Sequence, residues 1–473
     1  MLRRFRERFV GSATPNALGA IRAVVCGTLM LSALWEDPAS TAKVPLALRE
    51  KMGLLEVLYS LPIGFEHFAS SAGWLTFLKW GTAFVLLLGA LGLKGRFTLP
   101  LGAIAYAVLG GIMRQYAWFY HTGLIPLYIL IALSFMPATD GLSLDAWLKR
   151  KRAPESVPDP NLATPRYGWA RYFCWALIAL PYMLAGFSKL REGWPPWWTA
   201  LNFKRILLSS DMRPMHFDFD GALALVNAPN WVFAVLGFGA VMSEIFYVSV
   251  LFSKWARRIF PATMVLMHIG ILVLQNILFF DLIILQLMFV DWDALFRRFQ
   301  KSPAASVAIE APSRLEKRYA ISFGALVLVL AAWWVTDEEY YPFTCMQMFT
   351  GSVQQSGLAN YEVLLARDES GKLFEARIER VLPAFRDTRY RKFIRVFDDR
   401  RAKPRARAFL DVAGAEWNRQ AAPGERIVEF EIQSRVWNFR ADPDHPERAR
   451  VKQTFRHPLQ KRGSSRPADA DPS

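Results

Sequence analysis

Trp231–Phe252 reads WVFAVLGFGAVMSEIFYVSVLF, an unbroken apolar run whose only formal charge is Glu244. A helix needs about 20 apolar residues to cross a bilayer, and lipid offers no partner to an open backbone polar group, so this run reads as a transmembrane helix. Similar runs recur on both sides of it. They lie at Pro15–Trp35, Gly73–Gly92, Thr98–Ile112, Trp118–Met136, Trp169–Phe187, Phe260–Gln275, Ile277–Val290 and Tyr319–Val335. Together they predict an all-α polytopic membrane bundle of about nine transmembrane helices, the third, seventh and eighth short enough to need packing inside the bundle. Composition agrees: 53% of the 473 residues are hydrophobic and 21% charged, with 35 Phe, 17 Trp and 14 Tyr. A wholly soluble enzyme, a collagen-like chain and a disordered tail protein are excluded at this level.

The chain carries 57 Lys+Arg against 41 Asp+Glu, a net charge of +16. Such an excess suits nucleic acid, but its placement assigns it to membrane loops. Arg3, Arg4, Arg6 and Arg8 precede the first run. Alternate connections then carry Lys94 with Arg96, Lys149–Arg152, Lys254 with Arg257 and Arg258, and Arg297, Arg298 and Lys301. Positive residues stay on the cytoplasmic side, so the expected location is a bacterial inner membrane with the N-terminus cytoplasmic and no nucleic-acid partner. The first run lacks a small-x-small cleavage site and reads as a retained helix. Three cysteines, Cys26, Cys174 and Cys345, offer neither a disulfide framework nor a Cys-based zinc site, and no metal is expected. The first two lie in apolar runs and read as small buried hydrophobes.

This reading divides the chain into a bundle over 1–300, a linker and last transmembrane helix over 301–336, and a small C-terminal α+β domain over 337–457, expected to be periplasmic. Residues 458–473, rich in Ser, Pro and Asp, read as disordered. Within the domain, Tyr361–Ala366 and Leu373–Ile378 alternate around Asp368-Glu369-Ser370-Gly371, which predicts a β-hairpin. Arg386–Phe397 and Ala406–Arg419 have helical spacing, and Arg426–Ser434 alternates as a strand.

An ionisable side chain inside a membrane costs about 2.5–3.5 kcal/mol on insertion scales, so each one requires a reason. Arg22 and Lys79 sit near span ends and are expected to snorkel. Glu244 lies too deep for that and must be protonated, paired or facing a cavity. His268 lies mid-span, with Gln275 two turns on along the same face, and reads either as an interhelical hydrogen-bonding residue or as a site residue. Trp118 and His121 open the fourth run at its outer end, where aromatic belt residues also occur. Lys189 closes the fifth run, after Ala185-Gly186, a small pair that admits another helix, and before Trp194-Pro195-Pro196-Trp197-Trp198. An amine walled by aromatics loses hydration and becomes a usable base, although an anchoring Lys occupies the same position. His121, Lys189, Glu244 and His268 come from four helices, and their convergence on one cavity is the expectation.

Ala185-Gly186-x-x-Lys189-Leu190, with Trp194 following, resembles the stretch of vitamin K-dependent gamma-carboxylases whose Lys is taken as the active-site base. Trp118-x-x-His121, ahead of an apolar helix and Asp140-Gly141-x-Ser143-x-Asp145, is similar to the helix carrying that family's active-site histidine. His268, followed by Asn276 and Phe279-Phe280, resembles a third segment, and Tyr341-Pro342-Phe343 with Met348-Phe349 resembles the stretch after the last helix of bacterial members. These marks belong to the wider horizontally transferred transmembrane, or HTTM, group, and they run from about Pro15 to Trp292. Phe119, Tyr120 and Ser188 depart from the pattern, which has polar residues before the histidine and a second basic residue beside the lysine.

The resemblance implies a gamma-carboxylase-like lyase and quinone epoxidase. In that reaction a reduced naphthoquinone, vitamin K- or menaquinol-like, meets O2, and the base so produced takes the γ-proton of a peptide glutamate, whose carbanion attacks CO2. Lys189 and His121 would be catalytic. Trp118, Tyr182, Glu244, His268 and Gln275 would surround the cofactor. The implied partners are membrane lipid, the quinone and a secreted or periplasmic Glu-containing peptide. Two other classes remain open: a membrane protein of secreted-peptide maturation or immunity without carboxylation, and a non-enzymatic quinone- or lipid-binding protein. A secondary transporter is disfavoured because no inverted repeat is visible.

Overall fold

The computed structural model describes residues 2–116, 122–193, 196–213, 217–300, 314–344, 356–386, 389–397 and 400–459. The bundle consists, in chain order, of α1 (Pro15–Trp35), α2 (Ala72–Leu91), α3 (Gly95–Arg114), α4 (Leu124–Leu133), α5 (Pro165–Gly193), α6 (Ala200–Asp211), α7 (Asn230–Phe246), α8 (Ala256–Gln275), α9 (Phe280–Leu285) and α10 (Arg314–Thr336). Among the described residues, seven helices are long and apolar enough to cross a membrane, and α4, α6 and α9 are not among them. The nine apolar runs thus comprise seven helices of spanning length and two shorter apolar helices, Leu124–Leu133 and Phe280–Phe289. Among the described residues, the fourth run supplies the ten-residue α4, and the eighth supplies α9 with a 3-10 turn, Gln286–Phe289. Both short helices begin inside the bundle. The Gly123 N–H, capping α4, donates to Asp281 Oδ2 in the first turn of α9 at 2.8 Å. Conversely α3 and α8, read as short, reach 20 residues each because they continue into their own basic ends.

Thr14 caps α1 by accepting the Ala17 N–H, and Pro15 at the first helical position has no N–H of its own to satisfy. The Thr14 hydroxyl in turn donates to Asp293 at 2.5 Å, Arg171 pairs with Asp293 at 3.2 Å, and Arg257 donates to the Phe9 carbonyl at 2.7 Å. Asp145 accepts the Lys94 and Gly95 N–H groups at 2.8 and 2.9 Å. The N-terminal segment and the basic connections thus share one end of the bundle.

Arg22 corrects an expectation. It does not snorkel: it is 0% exposed, and its guanidinium donates to the carbonyls of Ala138, Ala90 and Leu142 at 2.8, 3.1 and 2.7 Å. One side chain therefore satisfies the open carbonyl end of α2 and the turns after α4. Gly92, at φ +65°, makes room for it, since a Cβ there would meet the guanidinium at 2.6 Å. Cys26 and Cys174 are buried and free.

The C-terminal region folds on the opposite end as a four-stranded antiparallel sheet of β1 (Leu358–Asp368), β2 (Leu373–Glu375), β3 (Ile427–Asn438) and β4 (Arg450–Pro458), in the order β2-β1-β3-β4, backed by α11 (Ala402–Gln420). The expected hairpin is β1–β2, with Leu365 opposite Glu375 and Asp368 Oδ1 accepting the Lys372 N–H at 2.9 Å. The described residues of Arg386–Phe397 do not form the expected continuous helix. Among its described residues the turn Arg391–Ile394 alone is helical, and Arg389 before it forms a buried bidentate pair with Glu36 at the end of α1, at 2.8 and 2.7 Å. The core of this region runs into the bundle: Phe393 stacks on Phe409 at 4.5 Å, and Met113, Tyr116, Val44 and Leu48 belong to the same cluster. Ala359, Tyr361 and Trp437 of the sheet pack with Phe203 of α6 and Phe233 of α7. Residues from 460 onward, where the disordered stretch is expected, lie outside the described residues.

Candidate functional site

The small pair foreseen at Ala185-Gly186 sets the geometry. A Cβ on Gly186 would meet Ile245 Cγ1 at 2.6 Å and the Ile245 backbone nitrogen at 2.9 Å, so only glycine lets α5 and α7 approach this closely. One turn after Gly186, Lys189 then reaches across to Glu244, its Nζ lying 2.7 Å from Oε2 and 3.0 Å from Oε1. Lys189 is 2% exposed and Glu244 7%, so neither meets bulk solvent. Of the three states open to Glu244 from its depth, two are found: it is paired, and it stands at the wall of a cavity. The Trp197 ring centroid lies 5.6 Å from the same Nζ, which places one aromatic wall where the Trp-rich segment suggested it.

The pair forms one wall of a cavity of about 360 Å³ between α6, α7 and α8. Phe203, Leu207, Leu236, Met267, Ile271 and Leu274 supply its apolar surface, and Gln275 adds an amide at the end of α8. Gln275 is 6% exposed, and its side-chain oxygen has no hydrogen-bond partner. Asn276 fixes that end of α8. It takes a left-handed conformation, φ +59°, and its Nδ2 donates to Asp211 Oδ1 at 2.7 Å while its Oδ1 accepts the Phe219 N–H. Burial raises the Asp211 carboxyl above its ordinary range, and the bonds from Leu223 and Asn276 oppose that shift.

His268 and Tyr182 meet each other rather than the cavity wall. The Tyr182 hydroxyl and His268 Nε2 are 2.6 Å apart, both side chains are buried, and Tyr247 packs against Tyr182 at 4.8 Å between centroids. The Tyr247 hydroxyl donates to Gln286 at 2.5 Å. His268 therefore departs from the expected convergence: it turns toward α5, while its helix neighbours Met267 and Gly270 face the cavity. Trp118 and His121 lie outside the described residues. Ser188, beside Lys189, accepts the Trp334 indole N–H at 2.7 Å, which ties α10 to the site.

Asp281 went unnoticed in the sequence. It is 1% exposed, with Oδ2 on the Gly123 N–H and Oδ1 unpartnered, next to the segment that carries His121. The rule that singled out Glu244, an ionisable residue inside an apolar run, applies equally to Asp281 within Ile277–Val290.

With a buried amine–carboxyl pair on the wall of an apolar cavity of ligand size, the site is suited to proton exchange with a mostly apolar molecule. The donor set fits a reduced naphthoquinone in that sense. The HTTM domain matches residues 14–293, more than half of the 473-residue chain. No curated protein and no solved structure matches the chain.

Proposed function

This chain belongs to the HTTM family, and from that premise we propose that it is a gamma-carboxylase-like membrane enzyme whose proton-transfer centre is the Lys189–Glu244 pair. The buried pair at the wall of the 360 Å³ cavity is the observation that carries the reading. A bound reduced naphthoquinone would supply a phenolic proton and, with O2, the oxidative driving force for deprotonating a peptide glutamate. Gln275 and the apolar side chains of α6, α7 and α8 would hold it. With Nζ of Lys189 2.7 Å from Oε2 of Glu244, Glu244 would take the ammonium proton and leave a neutral amine to accept the next one. Low polarity favours this exchange, because separated charges are costly away from water. Trp197 shields the amine, and His121 is assigned the supporting electrostatic role. We place the N-terminal end of the bundle in the cytoplasm and the C-terminal sheet in the periplasm, where it would meet a Glu-containing peptide.

Lys189→Arg tests the reading. Arginine keeps the pairing with Glu244, but a guanidinium does not give up its proton near neutral pH. The folded bundle should persist while quinone epoxidation and CO2 fixation, measured separately, both fall to background. Small added amines should restore epoxidation in Lys189→Ala. Wild-type turnover in Lys189→Arg would sink the proposal.

A further inference from the structure

The last span, α10, packs on α5, and Ile321, Leu328 and Val335 along it are 71%, 72% and 69% exposed. Between α10, α5 and α4 lies a second cavity of about 440 Å³, separate from the one beside Lys189. Phe135, Phe173, Leu177, Leu326 and Leu330 wall it, and its lining follows α10 from Tyr319 to Trp333. That stretch rises about 21 Å at roughly 1.5 Å per residue, more than the ~15 Å depth of hydrocarbon in one leaflet. The two ends differ. At the Tyr319 end, Arg314, Lys317 and Arg318 are exposed on the first turns of α10, where the sequence has one acid, Glu316. From α5 comes Arg166, whose side chain is 49% exposed and stands 3.9 Å from Asp140, too far for a hydrogen bond. Arg166 and Asp140 both lie within electrostatic reach of the Tyr319 hydroxyl, which puts them at the mouth of the cavity. Ser322 lines the groove one turn further in, and at the far end the Trp333 and Phe343 rings meet at 5.0 Å.

We propose that this groove seats one anionic phospholipid, with an acyl chain along α10 between α4 and α5 and the phosphate held by Arg166 and Arg318. Charge and shape commit the occupant. A long apolar groove beside exposed span residues takes a chain already in the bilayer, and a basic mouth at its end favours a net negative headgroup over a zwitterion. Ser322 stands where the glycerol ester of such a lipid passes. The seated chain also supplies packing along the open side of α10. That helix is fastened to the turn of α5 that carries Lys189: the Trp334 indole N–H donates to Ser188, and Arg191 donates to the Trp334 carbonyl at 3.0 Å. The lipid thus steadies the helix behind Lys189 without entering its cavity.

The test uses the full-length protein, delipidated in detergent, and two probes with identical chains, dioleoylphosphatidylglycerol and dioleoylphosphatidylcholine. By native mass spectrometry, wild type should bind one phosphatidylglycerol about tenfold or more tightly than phosphatidylcholine, since each basic residue near an anionic lipid contributes roughly fivefold. Arg166→Gln with Arg318→Gln should bring the two affinities together. Lys149→Gln with Lys151→Gln removes the same charge from another exposed basic stretch and should keep the preference. Leu326→Trp and Ala132→Phe fill the groove from opposite walls, and each should weaken binding of that lipid about tenfold. Thermal melting identifies a variant that has not folded, and the other then decides. Added phosphatidylglycerol should slow amide exchange in α10 of wild type and leave that of Leu326→Trp unchanged. Equal wild-type affinities, or a preference that survives the Arg166/Arg318 change, would overturn the headgroup assignment. Undiminished binding in the folded groove variants, or displacement of the lipid by excess inorganic phosphate, would overturn the seat of the chain. Unchanged exchange in wild-type α10 would overturn the steadying role. None of these readouts needs turnover, so they stand apart from the outcome of Lys189→Arg.

Discussion

Arg22→Met removes a buried side chain that serves three carbonyls on two separate stretches of chain. Each orphaned carbonyl costs about 1–3 kcal/mol, so the variant should melt well below wild type in a detergent thermal-shift assay. Arg22→Lys should recover only part of the loss, because an ammonium cannot span the same fork of acceptors. An unchanged melting point for Arg22→Met would show that the clamp is dispensable. The expectation that Arg22 snorkels treated depth along one helix as the whole answer. What buries it is the meeting of α1 with the ends of α2 and α4, a tertiary fact with no local mark. Lys189 and Glu244 illustrate the same boundary. Both were identifiable as ionisable groups needing a reason, yet their pairing depends on where α5 crosses α7. Gln275 and His268 share a helical stripe in the sequence, but different neighbours receive them: a cavity for one, Tyr182 for the other.

At the scale of elements, the crossing at Gly186 should be intolerant of any side chain. Gly186→Val places methyl groups where Ile245 backbone and side chain already stand. Overpacking of this kind typically costs about 1–3 kcal/mol, and here it should also separate Lys189 from Glu244. Lowered thermal stability together with lost turnover is the expected outcome, and wild-type activity would show that the close approach is unnecessary. Long apolar helices were legible because about 20 apolar residues have few other uses. The short α4 and α9 were harder, since a helix that starts inside the bundle looks like a span with a polar beginning. The β1–β2 hairpin was readable from alternation around Asp368–Gly371. Strand β4 was not anticipated, because Arg450–Pro458 buries only Phe455 and His457 and shows no apolar alternation.

At the scale of the molecule, the sheet domain is joined to the bundle by charge as well as by a shared core. Arg389 with Glu36, Lys43 with Glu416 at 2.6 Å and Arg213 with Glu362 at 2.9 Å all bridge the two regions. A buried pair broken outright costs about 3–5 kcal/mol, and without Arg389 the Glu36 carboxylate keeps the longer contact to Arg386 at 3.8 Å, which offsets part of that loss. Arg389→Ala should therefore loosen the whole sheet region, seen as faster amide exchange across β1–β4 with the bundle helices unchanged. Uniform protection in both regions would show that the shared apolar core suffices. Sidedness has its own measurement: a reporter inserted near Gly351 should be active only as a periplasmic fusion, and cytoplasmic activity would reverse the assigned topology.

The Glu36–Arg389 pair also imposes a schedule on biogenesis. Its two members are 353 residues apart in the chain. At a synthesis rate of 5–20 residues per second, Glu36 leaves the ribosome roughly 20–70 s before its partner exists. Throughout that interval the carboxylate at the end of the first helix lacks the bidentate Arg389 contact, so groups already made, Arg114 beside it among them, and water share its shelter. Docking of the last-made region then becomes the event that retires this temporary shelter, and a chain truncated before Arg389 would remain recognisable to quality-control proteases as unfinished.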